Sequence, residues 1–485
     1  MDSSSISDIV MQLPEEFIRY THALMGDQRY EQLAAGLAST PPTSIRLHPL
    51  KADGFVVAAT WTPEEVAWCH GGHYLNGRPH FTFDPLFHAG AYYVQDASSM
   101  FIDQVIRQHV HGPSIMLDLC AAPGGKSTAA LSALPAGSLL FANEPIGLRA
   151  QVLAENIVKY GHPDVVVTNN YPGDYEHTKL SFDIILADVP CSGEGMFRKD
   201  EQAIAEWSVQ NVEKCSRLQR EIVKSAWSCL REGGLLIYST CTLNTKENEE
   251  NILWAIEQLG ATPVEVEVSP TWGITGALGQ SPTPPVYRFI PGFTRGEGLF
   301  MAVLQKGPTT KSLFAEGDKK KDKDKRNRGK RQEKKSDDNV ARWLKTPDDY
   351  FIAEVGNRLI AIPRRWQGIY EKAQQLRLLH AGVNMGQIKG RDLIPSHALA
   401  LSTQLSDTAF PKVELDYDSA IDFLCKSTIT LPNGAPKGYN LLTYLGLPIG
   451  FVKNLGNRSN NLLPSEWKIR STHRPQDMNE ILTRL

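Results

Sequence analysis

The sequence predicts an α/β protein with a Rossmann-like parallel sheet flanked by smaller domains. Three observations carry this. Between residues 85 and 306, five short apolar runs alternate with helical stretches: SIMLDL (114–119), SLLFANE (138–144), DVVVT (164–168), FDIILAD (182–188) and GLLIYST (234–240). Continuous rather than alternating hydrophobicity marks strands buried on both faces, as in a parallel sheet. The first run leads through a small-residue, glycine-containing turn into a helix, in IMLDLCAAPGGKSTAALSAL (115–134). Finally, a chain of 485 residues exceeds what one core accommodates, and about two to four domains are expected.

The remaining segments follow in order. Residues 1–84 read as a small α+β domain, with helices in PEEFIRYTHALMGDQRYEQLAAGL and a strand in TSIRLHPLK. The N-terminus, MDSSSISDIVMQLPEEF, lacks the basic start and apolar core of a signal peptide. No apolar run approaches the ~18 residues of a membrane span. Residues 307–340 are polar and basic, and are expected to form a disordered linker. Within them 319–335 carries a net charge of +8, which leaves −11 on the rest of a chain whose total is −3. Such a segment suits either a solvated spacer or phosphate contact. Residues 341–410 read as a small α/β domain and 411–485 as a β domain. Seven irregularly spaced cysteines form neither a disulfide framework nor a zinc motif. A reduced, cytoplasmic protein without a metal is expected.

The turn after the first buried strand is a candidate ligand loop. Gly124 and Gly125 allow close backbone approach, and the following helix offers free N–H groups. Position 120 is Cys where a Walker A loop requires Gly, and GxGxxG is absent, so a phosphate loop is not indicated. Glu144 closes the next strand, where an acid in such sheets binds ribose hydroxyls. A nucleoside-bearing cofactor at the carboxyl ends of the strands is expected.

Two cysteines end buried strands: Cys191 in ILADVPCSGEG and Cys241 in LLIYSTCTLN. With Asp188 they should share the ligand edge of the sheet, whereas Cys215, Cys229 and Cys425 read as small buried hydrophobes. One chemistry that needs such a set is methylation at a pyrimidine C5. A thiolate adds to C6, making C5 nucleophilic, and a base later removes the C5 proton so that the thiolate can leave. Asp188 could hold the exocyclic amine and N3 edge of cytosine. Spacing alone does not decide which cysteine attacks.

At these residues the sequence resembles the Nol/Nop/Sun family of S-adenosylmethionine-dependent RNA cytosine-C5 methyltransferases, on the bacterial small-subunit ribosomal RNA side. LDLCAAPGGKST, DVPCSGEGMFRKD, YSTCT and YRFIPGFTRGEGLFMAVLQK occur in family order, and RPHFTFDPLFHAGAYYVQDASSM (78–100) matches the entry into the catalytic domain. GFVKNLGNRSNNLLPSEWKIR (450–470) is similar to a PUA-like RNA-binding domain. The resemblance implies Cys241 as nucleophile and Cys191 as the residue assisting product release. It makes Cys120, Ala121, Ala122, Pro123, Gly124, Gly125 and Lys126 the cofactor loop, Glu144 the ribose ligand, and Asp188 an acid on both the cofactor and base sides. It implies 5-methylcytosine formation in 16S ribosomal RNA by a monomer, with ribosomal RNA or the small subunit as partner. Near the adenine the family usually has Asp; here Tyr171 aligns with it, and Asn170 or Asp174 stands in. Arg198, Lys199, Lys453, Arg458, Trp467, Lys468 and Arg470 are candidate RNA contacts, with Arg46 and Lys51 weaker ones. A transfer RNA substrate, a non-catalytic ribosome-assembly factor and a thiol redox protein are the competing readings.

Overall fold

The computed structural model describes residues 13–279, 283–308, 338–390, 392–471, 474 and 480–485. The N-terminal residues 1–12 and the basic run 319–335, expected as a linker, lie outside them.

The described chain opens with helices α1 (Glu15–Met25) and α2 (Asp27–Ala38). Strands β1 (Thr43–Leu47), β2 (Phe55–Val57), β3 (Glu64–Glu65) and β4 (Gly72–Leu75), helix α3 (Pro85–Ala89) and strand β5 (Tyr92–Val94) follow. Four of these strands form an antiparallel sheet in the order β3-β4-β1-β5. Helix α3 starts as its sequence dictates: Asp84 caps it by accepting the Leu86 N–H at 2.8 Å, and Pro85 occupies the first turn.

The central layer begins with α4 (Ile102–His109) and β6 (Ile115–Asp118). It continues through α5 (Gly125–Ala133), β7 (Leu139–Asn143), α6 (Gly147–Tyr160), β8 (Val165–Thr168), β9 (Phe182–Asp188), α7 (Glu201–Glu206), α8 (Val209–Cys229) and β10 (Leu230–Thr240). The five predicted runs are β6 to β10. They pair in parallel in the order β10-β9-β6-β7-β8. Both faces are covered, which explains the unbroken hydrophobicity. Met116, Leu140, Val167, Leu186 and Ile237 pack to one side, and Leu117, Phe141, Val166, Ile185 and Leu236 to the other. Helix α9 (Glu249–Leu259) leads to β11 (Ala261–Val264), β12 (Tyr287–Phe289) and β13 (Leu299–Lys306), which extend the β10 edge antiparallel.

After α10 (Asp338–Ala341) come β14 (Tyr350–Val355), β15 (Arg358–Pro363), α11 (Gln367–Ala373), β16 (Leu378–Ala381), β17 (Val383–Lys389), β18 (Asp392–Pro395) and α12 (His397–Leu401). Strands β14, β15, β17 and β18 form their own antiparallel sheet, but β16 leaves it and pairs antiparallel with β8. The last section holds β19 (Lys412–Glu414), α13 (Tyr417–Leu424), β20 (Gly438–Tyr444), β21 (Leu447–Asn454), β22 (Ser459–Asn461) and β23 (Leu482–Arg484). It is tied to the beginning of the chain. Strand β23 pairs with β2, and Ile45, Phe55, Leu75 and Phe81 share one core with Ile421, Phe423, Leu442 and Ile481.

Gly161 is a joint between these layers. It ends α6 at φ 77°, and a Cβ there would lie 2.2 Å from the Leu401 carbonyl oxygen at the end of α12. Gly161→Ala is expected to cost about 2–3 kcal/mol, seen as a lower thermal midpoint. Gly112→Ala, with open space around the added carbon, should leave the midpoint nearly unchanged.

Candidate active site

The chain order reverses between β6 and β9, so the loops that follow these neighbouring strands diverge and open a crevice at their carboxyl ends. Every residue singled out as catalytic or cofactor-binding lies along this edge. The Cys120–Lys126 loop follows β6, Glu144 follows β7 and Asn170 follows β8. Asp188 ends β9, with Cys191 three residues on, and Cys241 follows β10.

Gly124, at φ 111°, turns the chain into α5, and a side chain there would press on Leu153 at 3.3 Å. Lys126, in the first turn, reaches across the crevice to Asp188, Nζ to Oδ2 at 2.9 Å. The other Asp188 oxygen accepts the Ser239 hydroxyl at 2.5 Å. Burial disfavours the Lys126 cation, but the negative charge of Asp188, helped by Cys241 and Asp118, more than offsets it and raises its pKa.

Glu144 is buried; one oxygen accepts the Ile146 N–H at 3.0 Å. The other, Oε2, has no hydrogen bond among the described residues and lies 3.6 Å from Arg149. Asn170 is engaged on both sides, donating to Asp174 at 3.1 Å and accepting the Arg377 N–H at 2.9 Å. Arg377 immediately precedes β16, so the later segment reaches the cofactor edge. Tyr171 donates its N–H to Asp174 and leaves its ring 72% exposed.

The two cysteines meet. Their sulfurs are 3.0 Å apart, and the Cys241 N–H points to the Cys191 sulfur at 3.4 Å. The hydrogen bond to Cys241, together with burial, pushes the Cys191 pKa well above its ordinary value. Gly195 makes the approach possible: its N–H donates to the Cys241 carbonyl at 2.6 Å, and a Cβ would lie 2.6 Å from that oxygen. Among the described residues no group of three or more His, Cys, Asp or Glu could hold a metal.

Several expected RNA contacts are corrected. Arg46 is buried and donates to Gln95, Ser132 and Thr128, which ties β1 to α5. Lys51 caps two carbonyls, Ala89 at 3.0 Å and Lys159 at 2.6 Å, and burial lowers its pKa to about 7. Arg198 is buried against Glu297 at 2.7 Å. Their charge is spent inside the protein. Arg458, Lys468 and Arg470 are exposed, as the sequence reading requires. Lys199 remains partly exposed beside Glu297, and Lys453 lies 3.6 Å from Asp392.

Sequence reasoning did not single out Asp118, Asn143, Glu194, Asn244 or Glu247, all buried beside the site. Asn143 binds the loops after β6 and β8 together, donating to the Leu119 and Asn170 carbonyls. The available signal was a polar residue at a strand end or in a loop next to a motif, which does not by itself indicate burial.

A Rossmann-like sheet with a glycine-turn loop, a buried acid at the next strand end and paired thiols at its switch point is the arrangement of a methyltransferase domain. Comparison agrees: residues 108–305 match the family described as 16S rRNA methyltransferase RsmB/F. Residues 13–97 match the N-terminal domain of 16S rRNA methyltransferase RsmF, and 410–469 the methyltransferase RsmF PUA domain. The chain belongs to this RsmF-like Sun family. It is similar to ribosomal RNA small subunit methyltransferase F of Escherichia coli O139:H28, 28% identical over 488 residues, covering 93% of this chain and 96% of that protein. The match to the protein of the same name from Enterobacter sp. strain 638 is 33% identical over 317 residues. It spans 62% of this chain and 65% of that relative's length. Two solved structures share the fold. PH0851 has a TM-score of 0.53 at 24% identity, over 61% of this chain and 66% of that one. NSun6 from Pyrococcus horikoshii, solved with SFG, has a TM-score of 0.51 at 20% identity, over 61% and 99%.

Asp118 gives this edge a pH signature. Burial, with Asp188 and Glu144 nearby, raises its pKa to about 7 against the hydrogen bond from Ser127. The folded state therefore keeps a proton that the unfolded chain releases, and stability falls as pH rises from about 4 to about 7. Burial raises Glu247 to about 7 as well, and it adds to the same window. Asp118→Asn is expected to flatten the decline in thermal midpoint between about pH 5 and 8 by the equivalent of roughly 1–2 kcal/mol. Identical slopes in the two proteins would remove Asp118 from this account.

Proposed function

We propose that the protein is an S-adenosylmethionine-dependent RNA cytosine-C5 methyltransferase acting on 16S ribosomal RNA. The observation that carries the chemistry is the pair of thiols 3.0 Å apart beside the Lys126–Asp188 ion pair. The ribosomal substrate is supported by the names of its relatives and by the exposed basic residues of the C-terminal domain. The residues present fit the cofactor. Glu144 keeps one unbonded buried oxygen for ribose hydroxyls, and the Cys120–Lys126 loop leaves a side-chain-free turn at Gly124. When bound, the cofactor supplies an electrophilic methyl group on a sulfonium.

In this reading Cys241 bonds to C6 of an unpaired or flipped cytosine, and the ring's electrons move toward C5. Asp188 accepts a hydrogen bond from the exocyclic amine. It thereby distinguishes cytosine from uracil, whose O4 would face the carboxylate. The Lys126 ammonium fixes the Asp188 carboxylate. After C5 is alkylated, Cys191, as a thiolate, accepts the C5 proton; the C5–H electrons re-form the C5–C6 double bond, and the Cys241–C6 bond breaks with its pair returning to the Cys241 sulfur.

The test is bisulfite sequencing of RNA from cells with and without the gene. A small-subunit ribosomal cytosine should lose protection. Loss confined to transfer RNA would overturn the substrate, and unchanged RNA would overturn the activity. With purified protein, Cys241→Ala should abolish methyl transfer, while Cys191→Ala should accumulate a covalent protein–RNA adduct visible on a denaturing gel. Methylation by Cys241→Ala would refute the assignment of the nucleophile.

A further inference from the structure

The cysteine loops are held together by two buried carboxylates that belong to neither strand. Glu194 lies on the Cys191 loop and accepts the Leu243 N–H of the opposite loop at 2.6 Å. Glu247 follows the Cys241 loop and accepts the Ser192 N–H, adjacent to Cys191, at 3.1 Å. Each loop's acid thus takes the other loop's backbone.

Asn244 joins the two acids, its amide nitrogen 2.9 Å from Glu194 and 2.8 Å from Glu247. Trp207 donates to Glu194 at 2.8 Å, and Gln219 to Glu247 at 2.6 Å. Both acids are at most 1% exposed, and neither has a Lys or Arg ion-pair partner among the described residues. Burying a carboxylate without a counter-charge is costly, so its only compensation here is this set of directed donors. An apolar contact could hold two loops together at less cost, but without fixing the direction of the Ser192 and Leu243 amides.

We propose that Glu194 and Glu247 are positioning residues that set the separation of Cys191 and Cys241, so that attack and release are performed on one base without rearrangement. The catalytic half of this inference rests on the function proposed above; the geometric half does not. Loosening either acid lets the Ser192 or Leu243 amide swing away, and the thiols part. Release, which needs the second thiol beside the first, is then the step that suffers.

The experiment measures proximity first, without RNA. Full-length protein is treated with diamide, and the Cys191–Cys241 disulfide is mapped by mass spectrometry. Glu194→Gln and Glu247→Gln should each slow its formation about tenfold, as expected for loss of a hydrogen bond to a charged group. Affinity for S-adenosylhomocysteine should stay within about twofold, since the cofactor loop is not part of the clasp. Should Glu247→Gln fail to fold, Glu247→Asp keeps the carboxyl group, shortens the reach by one methylene, and gives the same reading. Wild-type cross-linking rates in these variants would overturn the proposal. In turnover, the variants should show more trapped protein–RNA adduct and a lower kcat at unchanged KM. Slowed cross-linking in a protein that methylates no RNA would leave the clasp standing and defeat only the proposed function. Slowed cross-linking with normal adduct release would overturn the positioning role.

Discussion

The pairing of β6 with β9 is the constraint on which the site depends. These strands are neighbours in the sheet, from Met116 beside Ile184 to Asp118 beside Leu186, but far apart in sequence. Because the connections on either side wind away in opposite directions, the loops that follow these strands diverge above their ends. The chain spans that gap with a side-chain pair, Lys126 to Asp188, rather than with backbone. A one-residue slip in register would turn the side chains of β9 to the opposite face and carry Asp188 away from Lys126. The ion pair depends on this register, and the Ser239 hydrogen bond on that of β9 with β10, where Ser239 pairs with Asp188.

The flanking parts of the chain act on this edge as supports. Arg46 comes from the N-terminal sheet and donates to Gln95 and to Thr128 and Ser132 along α5. A buried guanidinium cannot leave such partners without being stranded, so the small sheet fixes the helix that follows the Gly124 turn. From the other side β16 completes the edge of β8 and sets Arg377 against Asn169 and Asn170. The final strand returns to pair with β2. The methyltransferase layer is thus held at both sheet edges by antiparallel additions, and the C-terminal domain is anchored to the N-terminal one through a shared core.

What the sequence made legible follows from short-range rules. The five apolar runs, the glycine turn and the residues at strand ends are local patterns, and parallel pairing places strand ends on one edge whatever the rest does. The entry of β16 into the central sheet was not legible, because LLHA is too short to distinguish an edge strand from a loop and its partner lies some two hundred residues earlier. The charged residues misled for a related reason. Arg46, Lys51 and Arg198 read as surface cations because basic side chains usually are; their burial depends on carbonyls, hydroxyls and one carboxylate supplied from distant segments. Glu194 and Glu247 were passed over for the same reason. A glutamate in a loop looks solvated until the opposite loop is shown to donate to it.

The contact between the thiols also bears on how one site separates two chemical roles. Two negative sulfurs 3.0 Å apart repel strongly in a partly buried setting, so the pair retains a proton between them. The hydrogen bond to Cys241, and then burial, raise the Cys191 pKa well above its ordinary value, which favours the neutral thiol at Cys191. On the proposed reading, Cys241 is the sulfur that attacks, and Cys191 is kept neutral until the attacking sulfur has bonded to carbon. Bond formation removes the repulsion, since a thioether carries no charge. Cys191 is then free to ionise and to take part in the loss of the C5 proton. The order of the two roles follows from electrostatics between the sulfurs, with no movement of either loop required.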